Sequence, residues 1–70
     1  MTQFEEFAKE MNVMITLDKN GLYTGLSKAL AIMTNEVILS DNETIFNLEW
    51  DRQKEIIKDK FYKVFPYKAR

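Results

Sequence analysis

The sequence predicts an α+β fold in which three helices accompany a short antiparallel sheet. Apolar residues recur at helical spacing at the start, in the middle and near the end of the chain, and short β-branched runs separate these segments. A chain of 70 residues has room for one hydrophobic core. Residues 1–70 are therefore predicted to form a single compact domain, with 66–70 as a flexible tail.

The first helix is predicted over residues 2–12. Thr2 and Glu5 have the spacing of a capping box, in which each side chain hydrogen-bonds the backbone amide of the other residue. Apolar side chains follow at intervals that are typical of one helix face. These side chains are Phe4, Phe7, Ala8 and Met11.

A strand is predicted next, over residues 13–17, where the sequence is short, apolar and β-branched. The Asn20-Gly21 pair that follows favours a tight turn, because both residue types tolerate the positive φ angles that such turns need. We therefore expect the chain to reverse direction after the strand.

A second helix is predicted over residues 22–33, because leucine, alanine and methionine recur there on one helical face. The alternative keeps residues 22–26 as the return strand of a hairpin, since Gly25 weakens a helix by about 1 kcal/mol relative to alanine. The helix is the preferred interpretation.

Two further strands are predicted over residues 36–39 and 44–50, joined by a polar turn. Apolar and polar side chains alternate in the second of them, as in a pleated strand with one buried face. A competing interpretation makes Ser40 a helix cap and extends one helix from about 41 to 65. The hairpin is favoured because several residues between 42 and 47 are mediocre helix formers.

The last helix is predicted over residues 51–65. Asp51 is expected to cap its N-terminus, and Pro66 prevents it from continuing. A stripe at helical spacing is expected to face the core. The stripe consists of Ile56, Ile57, Lys60, Phe61 and Val64.

Residue types argue against catalysis. The sequence contains no histidine and no cysteine, which removes the usual general base near neutral pH, the commonest metal ligand and any thiolate site. Asp18, Asn20 and Gly21 match part of a calcium-binding loop. Thr16 and Ser27, however, stand where that loop needs its first aspartate and its final glutamate, so a polar turn is the better interpretation. We expect no enzyme, no metal and no cofactor.

Charge is distributed unevenly along the sequence. Residues 1–51 carry three basic and nine acidic side chains, a net charge of −6, whereas residues 52–70 carry seven basic and two acidic ones, a net charge of +5. Cations and aromatic rings interleave in the basic segment, as in proteins that bind single-stranded nucleic acid. A nucleic-acid-binding module is therefore the alternative function. Its candidate residues are Lys58, Lys60, Tyr62, Lys63, Tyr67, Lys68 and Arg70.

A protein interface is the favoured function. Four methionines and nine aromatic residues in so small a chain indicate apolar surface that is left for a protein partner or for a second copy of the chain. We expect a regulator or inhibitor that forms a homodimer and binds its partner through an acidic segment with apolar anchors. The candidate residues are Phe46, Trp50, Glu43, Glu49 and Asp51.

Location and origin follow from composition. The first residues include two carboxylates and no basic cluster, unlike a secretory signal, and no stretch approaches the roughly 20 apolar residues of a membrane helix. We therefore expect a cytoplasmic protein with no membrane contact. The usage of lysine, asparagine and isoleucine without cysteine favours a bacterial or phage origin.

Overall fold

The computed structural model describes residues 2–42, 45 and 48–69. Contacts between Cα atoms divide the chain into two units, which we call unit 1 (Met1–Ile32) and unit 2 (Met33–Arg70). The described residues contain three α-helices that lie wholly within the described ranges and a two-stranded antiparallel sheet, so the predicted α+β class is confirmed. The single domain with a flexible tail stays a prediction. In chain order the elements are α1 (Gln3–Glu10), β1 (Thr16–Leu17), β2 (Tyr23–Thr24), α2 (Gly25–Ile38), α3 (Trp50–Val64) and a 3-10 helix (Pro66–Ala69).

α1 begins with the predicted capping box. Glu5 N donates a hydrogen bond to Thr2 Oγ1 (3.1 Å), and Thr2 N donates one to Glu5 Oε1 (3.3 Å). These bonds satisfy backbone amides that have no partner within the first turn of a helix. Hydrogen bonding by the Thr2 side chain, and then by its backbone amide, also lowers the pKa of the Glu5 carboxyl, because both bonds favour the charged form.

α1 ends in a Schellman motif. Val13 N donates to Ala8 O (2.8 Å) and Asn12 N donates to Lys9 O (3.1 Å), which satisfies carbonyls of the last turn. Asn12 has the left-handed φ of 55° that this motif uses. Ala8 and Val13 are both buried, in agreement with the apolar contact that accompanies such an end. The predicted helix over 2–12 is confirmed to within two residues at each end.

Unit 1 contains a β-hairpin where we predicted a strand followed by a helix. β1 and β2 pair antiparallel, with Thr16 opposite Thr24 and Leu17 opposite Tyr23. The helix predicted over 22–33 is therefore wrong in its first turn, and its alternative, a return strand, is the correct interpretation there. The predicted strand before the turn is confirmed, although it is shorter than expected.

A three-residue loop closes the hairpin. Asp18 N donates to Leu22 O (2.8 Å) and Gly21 N donates to Asp18 O (3.0 Å). Gly21 has a left-handed φ of 80°, which a residue with a side chain adopts only at a cost. A turn of this kind followed by a left-handed residue is a common three-residue hairpin connection. The predicted turn at Asn20-Gly21 is thus confirmed, with the positive φ at the glycine.

Gly25 and Ser27 join the hairpin to α2. The left-handed φ of Gly25, 59°, lets the chain pass from β2 into the helix with no residue between them. Ser27 is fully buried, and its Oγ donates to Thr24 O (2.7 Å), with Thr16 O as a second acceptor at 3.3 Å. The same Oγ accepts from Thr16 N (3.2 Å). One hydroxyl therefore connects both strands to the first turn of the helix.

α2 extends through Ile38, so the strand predicted over residues 36–39 is wrong. Leu30, Thr34 and Val37 are buried, and their spacing of four and three residues places them on one face of a single helix. Strand propensity depends on packing and is overridden when a β-branched side chain is buried on a helix face. The burial of Val37 therefore decides the conformation of this segment.

The strand predicted over residues 44–50 is wrong wherever the structure describes it. Ile45 is helical, Leu48 N donates to its carbonyl oxygen (3.2 Å), and Trp50 is the first residue of α3. Residues 44, 46 and 47 lie outside the described residues. The competing helix over 41–65 is also wrong, because the backbone of Glu49 is extended, with a ψ of 156°. Alternation over so few positions fits more than one backbone conformation, and it misled the prediction.

α3 confirms the last predicted helix to within one residue at each end, but its cap differs. An N-cap residue has an extended backbone, and this residue is Glu49, whereas Asp51 already lies in the first helical turn. The Glu49 carbonyl oxygen accepts from Arg52 N and Gln53 N, each at 3.0 Å. The prediction that Asp51 caps the helix is therefore wrong.

Three side chains of α3 are buried at intervals of four residues, namely Gln53, Ile57 and Phe61. The predicted stripe is correct for Ile57 and Phe61, whereas Lys60 and Val64 are exposed. Gln53 is a buried residue that the prediction omitted, because an amide is rarely buried without a partner. Its Nε2 donates to Ile45 O (3.3 Å), which explains how this polar side chain is accommodated.

Replacing Thr2 by alanine should raise the pKa of Glu5 toward its ordinary value of 4.5, because the hydroxyl that favours the carboxylate is removed. The folded-state pKa is lowered, so the box stabilises the fold fully above the unfolded-state pKa and loses this effect as the pH falls through the folded-state value. NMR titration of the side-chain carboxyl carbon measures the shift. Gln3→Ala, next to the box, is the control, and an unchanged Glu5 titration in Thr2→Ala would contradict the assignment.

Replacing Ser27 by alanine should lower the free energy of unfolding by about 1–3 kcal/mol, because polar groups of both strands lose a buried partner. Urea unfolding measures the change, and hydrogen exchange at the Thr16 amide should accelerate. Lys28→Ala, at an exposed position of the same helix, should change stability by no more than about 0.5 kcal/mol. Equal stability of the two variants would show that the hydroxyl is dispensable.

Candidate interaction surfaces

The α3 lysines among the residues predicted to bind nucleic acid do not all share one face of the helix. Lys60 and Lys63 are three residues apart on α3 and share an exposed face. Lys58 is half-buried and shares a different face with Tyr62, four residues later. Residues two apart on a helix do not face each other, so Lys58 and Lys60 cannot contact the same short stretch of phosphates. The structure thus brings together one pair of lysines and separates the others.

The aromatic residues of the same segment pack on one another. The ring of Phe61 is buried, and its centroid lies 6.0 Å from that of Tyr62 and 4.9 Å from that of Phe65. Tyr62 is half-buried, so one of the two predicted stacking residues is largely used in the fold. Tyr67 remains exposed, with its ring edge-on to Phe65, and the adjacent Lys68 is half-buried.

Acidic and basic residues that are separated along the sequence fall into the same unit. Unit 2 contains seven basic and seven acidic residues, and unit 1 contains three basic and four acidic ones. Lys60 Nζ lies 4.0 Å from Glu36 Oε2, and Lys54 Nζ lies 3.4 Å from Asp51 Oδ1. The Lys60–Glu36 pair is exposed and contributes at most about 1 kcal/mol, and in both pairs an acidic side chain offsets part of the positive charge of the lysine. The strong charge asymmetry of the sequence is therefore balanced within unit 2.

The residues predicted to bind a protein partner differ in their exposure. Trp50 is half-buried at the start of α3, and the Lys54 ammonium lies 5.9 Å from its ring centroid. Asp51 is exposed and pairs with the same lysine, and Glu49 is exposed as well. Glu43, Phe46 and Arg70 lie outside the described residues. Glu49 and Asp51 are thus accessible, whereas the tryptophan has part of its surface covered.

Large apolar side chains that were not predicted as contact residues are exposed on the hairpin. Met14, Leu17 and Leu22 are exposed by 80%, 57% and 64% respectively, and we call them the exposed hairpin residues. Tyr23, opposite Leu17, is half-buried, with its ring centroid 5.2 Å from that of Phe4. A sequence signal existed, because residues 13–17 lack the polar alternation of a strand with one wet face.

The polar turn at Asp18 uses its carboxylate within the hairpin. Asp18 Oδ1 accepts hydrogen bonds from Asn20 N (2.8 Å) and Leu22 N (3.0 Å), which confirms the turn interpretation of the segment that partly matches a calcium loop. In the part of the chain that the structure describes, no group of three or more carboxylate, imidazole or thiol side chains is arranged to hold a metal ion.

Comparisons of the chain with protein-family models, with curated proteins and with solved structures found no match. Among the described residues, no helix combines the length and the apolar character that crossing a membrane requires. The functional interpretation therefore depends on the residues of this chain alone.

Proposed function

We propose that this chain is a small non-enzymatic interaction domain, a regulator or inhibitor that acts by binding a protein partner and by self-association. The observation that supports the proposal is the exposure of Met14, Leu17 and Leu22 beside a sheet of two strands. Apolar side chains next to an open strand edge are typical of surfaces that bind another polypeptide. The acidic segment that includes Glu49 and Asp51 remains a second contact region of the same proposal.

The free energy gained by burying the exposed hairpin residues indicates which further contacts a partner must make. Full burial of one leucine or methionine side chain contributes about 1.5–3 kcal/mol, and the exposed hairpin residues are already partly covered. Three such contacts are of the same order as the loss of translational and rotational freedom on association. A stable complex therefore needs backbone hydrogen bonds at the strand edge or charge pairs in addition.

A nucleic-acid-binding module is the second candidate function. The exposed pair Lys60 and Lys63, together with the exposed ring of Tyr67, supports it. The balanced charge of unit 2 and the sequence pI of 5.3 argue against it, because non-specific nucleic-acid binding depends on a net excess of positive charge. We therefore place the protein partner first.

Capture of partner proteins by the immobilised chain should depend on the hairpin. Leu17→Lys places a charge at the proposed contact and should reduce capture about tenfold or more, which corresponds to about 1.4 kcal/mol. Leu39→Lys is the matched control, because Leu39 is equally apolar, is exposed by 71% and lies in unit 2. Equal loss in both variants, or in neither, would contradict the use of the hairpin.

Fluorescence anisotropy with a labelled single-stranded oligonucleotide tests the second candidate. We expect no measurable binding even at low salt, because the positive charge of unit 2 is balanced. The double variant Lys60→Glu/Lys63→Glu and the control Lys9→Glu/Lys19→Glu change charge equally at different places. Affinity that falls steeply with salt, disappears in the first variant and persists in the control would replace the proposed function by nucleic-acid binding.

A further inference from the structure

The outer edge of β1 presents backbone groups without partners. In an antiparallel ladder, alternate residues direct N–H and C=O toward the paired strand and away from it. Asp18 N donates to Leu22 O across the hairpin, so Leu17, the preceding residue, directs its own N–H and C=O away from β2. No hydrogen bond within residues 2–42, 45 and 48–69 uses these two groups. Ile15 precedes β1, and extending the strand by one residue would place it on this edge by the same alternation.

Apart from the short length of β1 (Thr16–Leu17), the segment that forms this edge lacks the features that normally protect one. Residues 13–17 contain no charge, no proline and no glycine, and both Met14 and Leu17 are exposed. Native proteins usually protect edge strands with lysine, proline or a bulge, because a bare apolar edge pairs with other chains. The other edge of the sheet belongs to β2, which continues directly into α2 at Gly25. The open edge of β1 is therefore available for pairing with another extended strand.

The edge is complementary to itself. When two copies of residues 15–17 pair antiparallel about a two-fold axis at Thr16, Ile15 of each copy lies opposite Leu17 of the other. Each of these pairs exchanges both of its backbone hydrogen bonds. On one face of the sheet isoleucine lies opposite leucine, and on the other face threonine lies opposite threonine. Each cross-strand pair therefore joins two apolar or two hydroxyl side chains.

We propose that a second copy of this chain covers the β1 edge, giving a four-stranded antiparallel sheet in which the two β1 strands are central. This inference rests on the proposed function, because it names the partner of the exposed hairpin residues. A two-stranded sheet is only marginally stable in water, and pairing gives each β1 strand a neighbour on both sides. The two-fold arrangement uses the same edge on both copies. No β1 edge remains free, and the assembly therefore stops at two copies.

A cysteine at Thr16 tests the position of the axis, since the natural chain has none. The pairing places the two copies of residue 16 opposite each other, with Cα atoms about 4.5 Å apart, which is within the range of a disulfide. Thr16→Cys should therefore form a disulfide-linked dimer under mild oxidation. Thr24→Cys is the matched control, because Thr24 pairs with Thr16 and shares its hydroxyl contact (2.8 Å). Its two copies would be about 14 Å apart, too far to bridge.

Sedimentation velocity over a range of concentrations tests the assembly itself. The natural chain should sediment as a dimer, Leu17→Lys should raise the dimer dissociation constant about tenfold or more, and Leu39→Lys should leave it unchanged. A natural chain that is monomeric at every concentration overturns the inference. A dimer that cross-links through Thr24→Cys as readily as through Thr16→Cys, or through neither, overturns it as well.

The inference and the proposed function can fail separately. A monomeric natural chain whose capture of other proteins still depends on Leu17 overturns the inference and the self-association in the proposed function, but it leaves the binding of a protein partner standing. A dimer that cross-links through Thr16→Cys and captures no other protein supports the inference and contradicts a regulator with a separate partner. Circular dichroism of each variant confirms that it is folded before the comparison is made.

Discussion

One buried hydroxyl, that of Ser27, holds the hairpin and the start of α2 together in unit 1. Strands of two residues supply too few ladder hydrogen bonds to be stable alone, so their position depends on what else contacts them. Ser27 Oγ bonds backbone groups of both Thr16 and Thr24, and Gly25 supplies the left-handed φ that brings the helix to this point. The sheet and the first turn of α2 therefore form as one cooperative structure.

The length of α2 determines the size of the sheet. Residues 36–38 have strand propensity, yet they continue the helix because Val37 is buried on the same face as Leu30 and Thr34. With these residues in a helix, the sheet in the described part of the chain consists of β1 and β2 alone. Leu17 lies on an edge of this two-stranded sheet, and both the proposed function and the proposed assembly start from it.

The folded structure also changes how the charge distribution of the sequence is interpreted. The basic C-terminal segment suggests an anionic ligand when it is considered as a sequence, but α3 distributes its lysines over different faces. Glu36 and Asp51 lie near Lys60 and Lys54, and the acidic and basic residues of unit 2 are equal in number. A ligand that depends on concentrated positive charge is therefore less well supported than one that depends on apolar contact and backbone pairing.

Local chemistry was enough to predict several elements. The Thr2 and Glu5 pair, the turn at Gly21 and the helix that ends before Pro66 are each specified by residues within one or two turns of the chain, and each is confirmed. The nucleic-acid candidates could also be identified from sequence as cationic and aromatic residues, although their separation on α3 required the bounds of the helix. The lack of polar alternation in residues 13–17 was a sequence signal for the exposed hairpin residues, but it does not distinguish a strand with two buried faces from one with exposed faces.

Sequence alone therefore determined the α+β class, the capped first helix, the reversal after β1 and the last helix, since local hydrogen bonds and side-chain spacing specify them. Tertiary structure alone decided that residues 36–38 join α2, that Glu49 precedes α3 and that Leu17 lies on an open edge. The physical reason is burial. Backbone propensities differ by about 1 kcal/mol or less, whereas burying a side chain such as Val37 contributes about 1.5–3 kcal/mol and depends on residues distant in the chain.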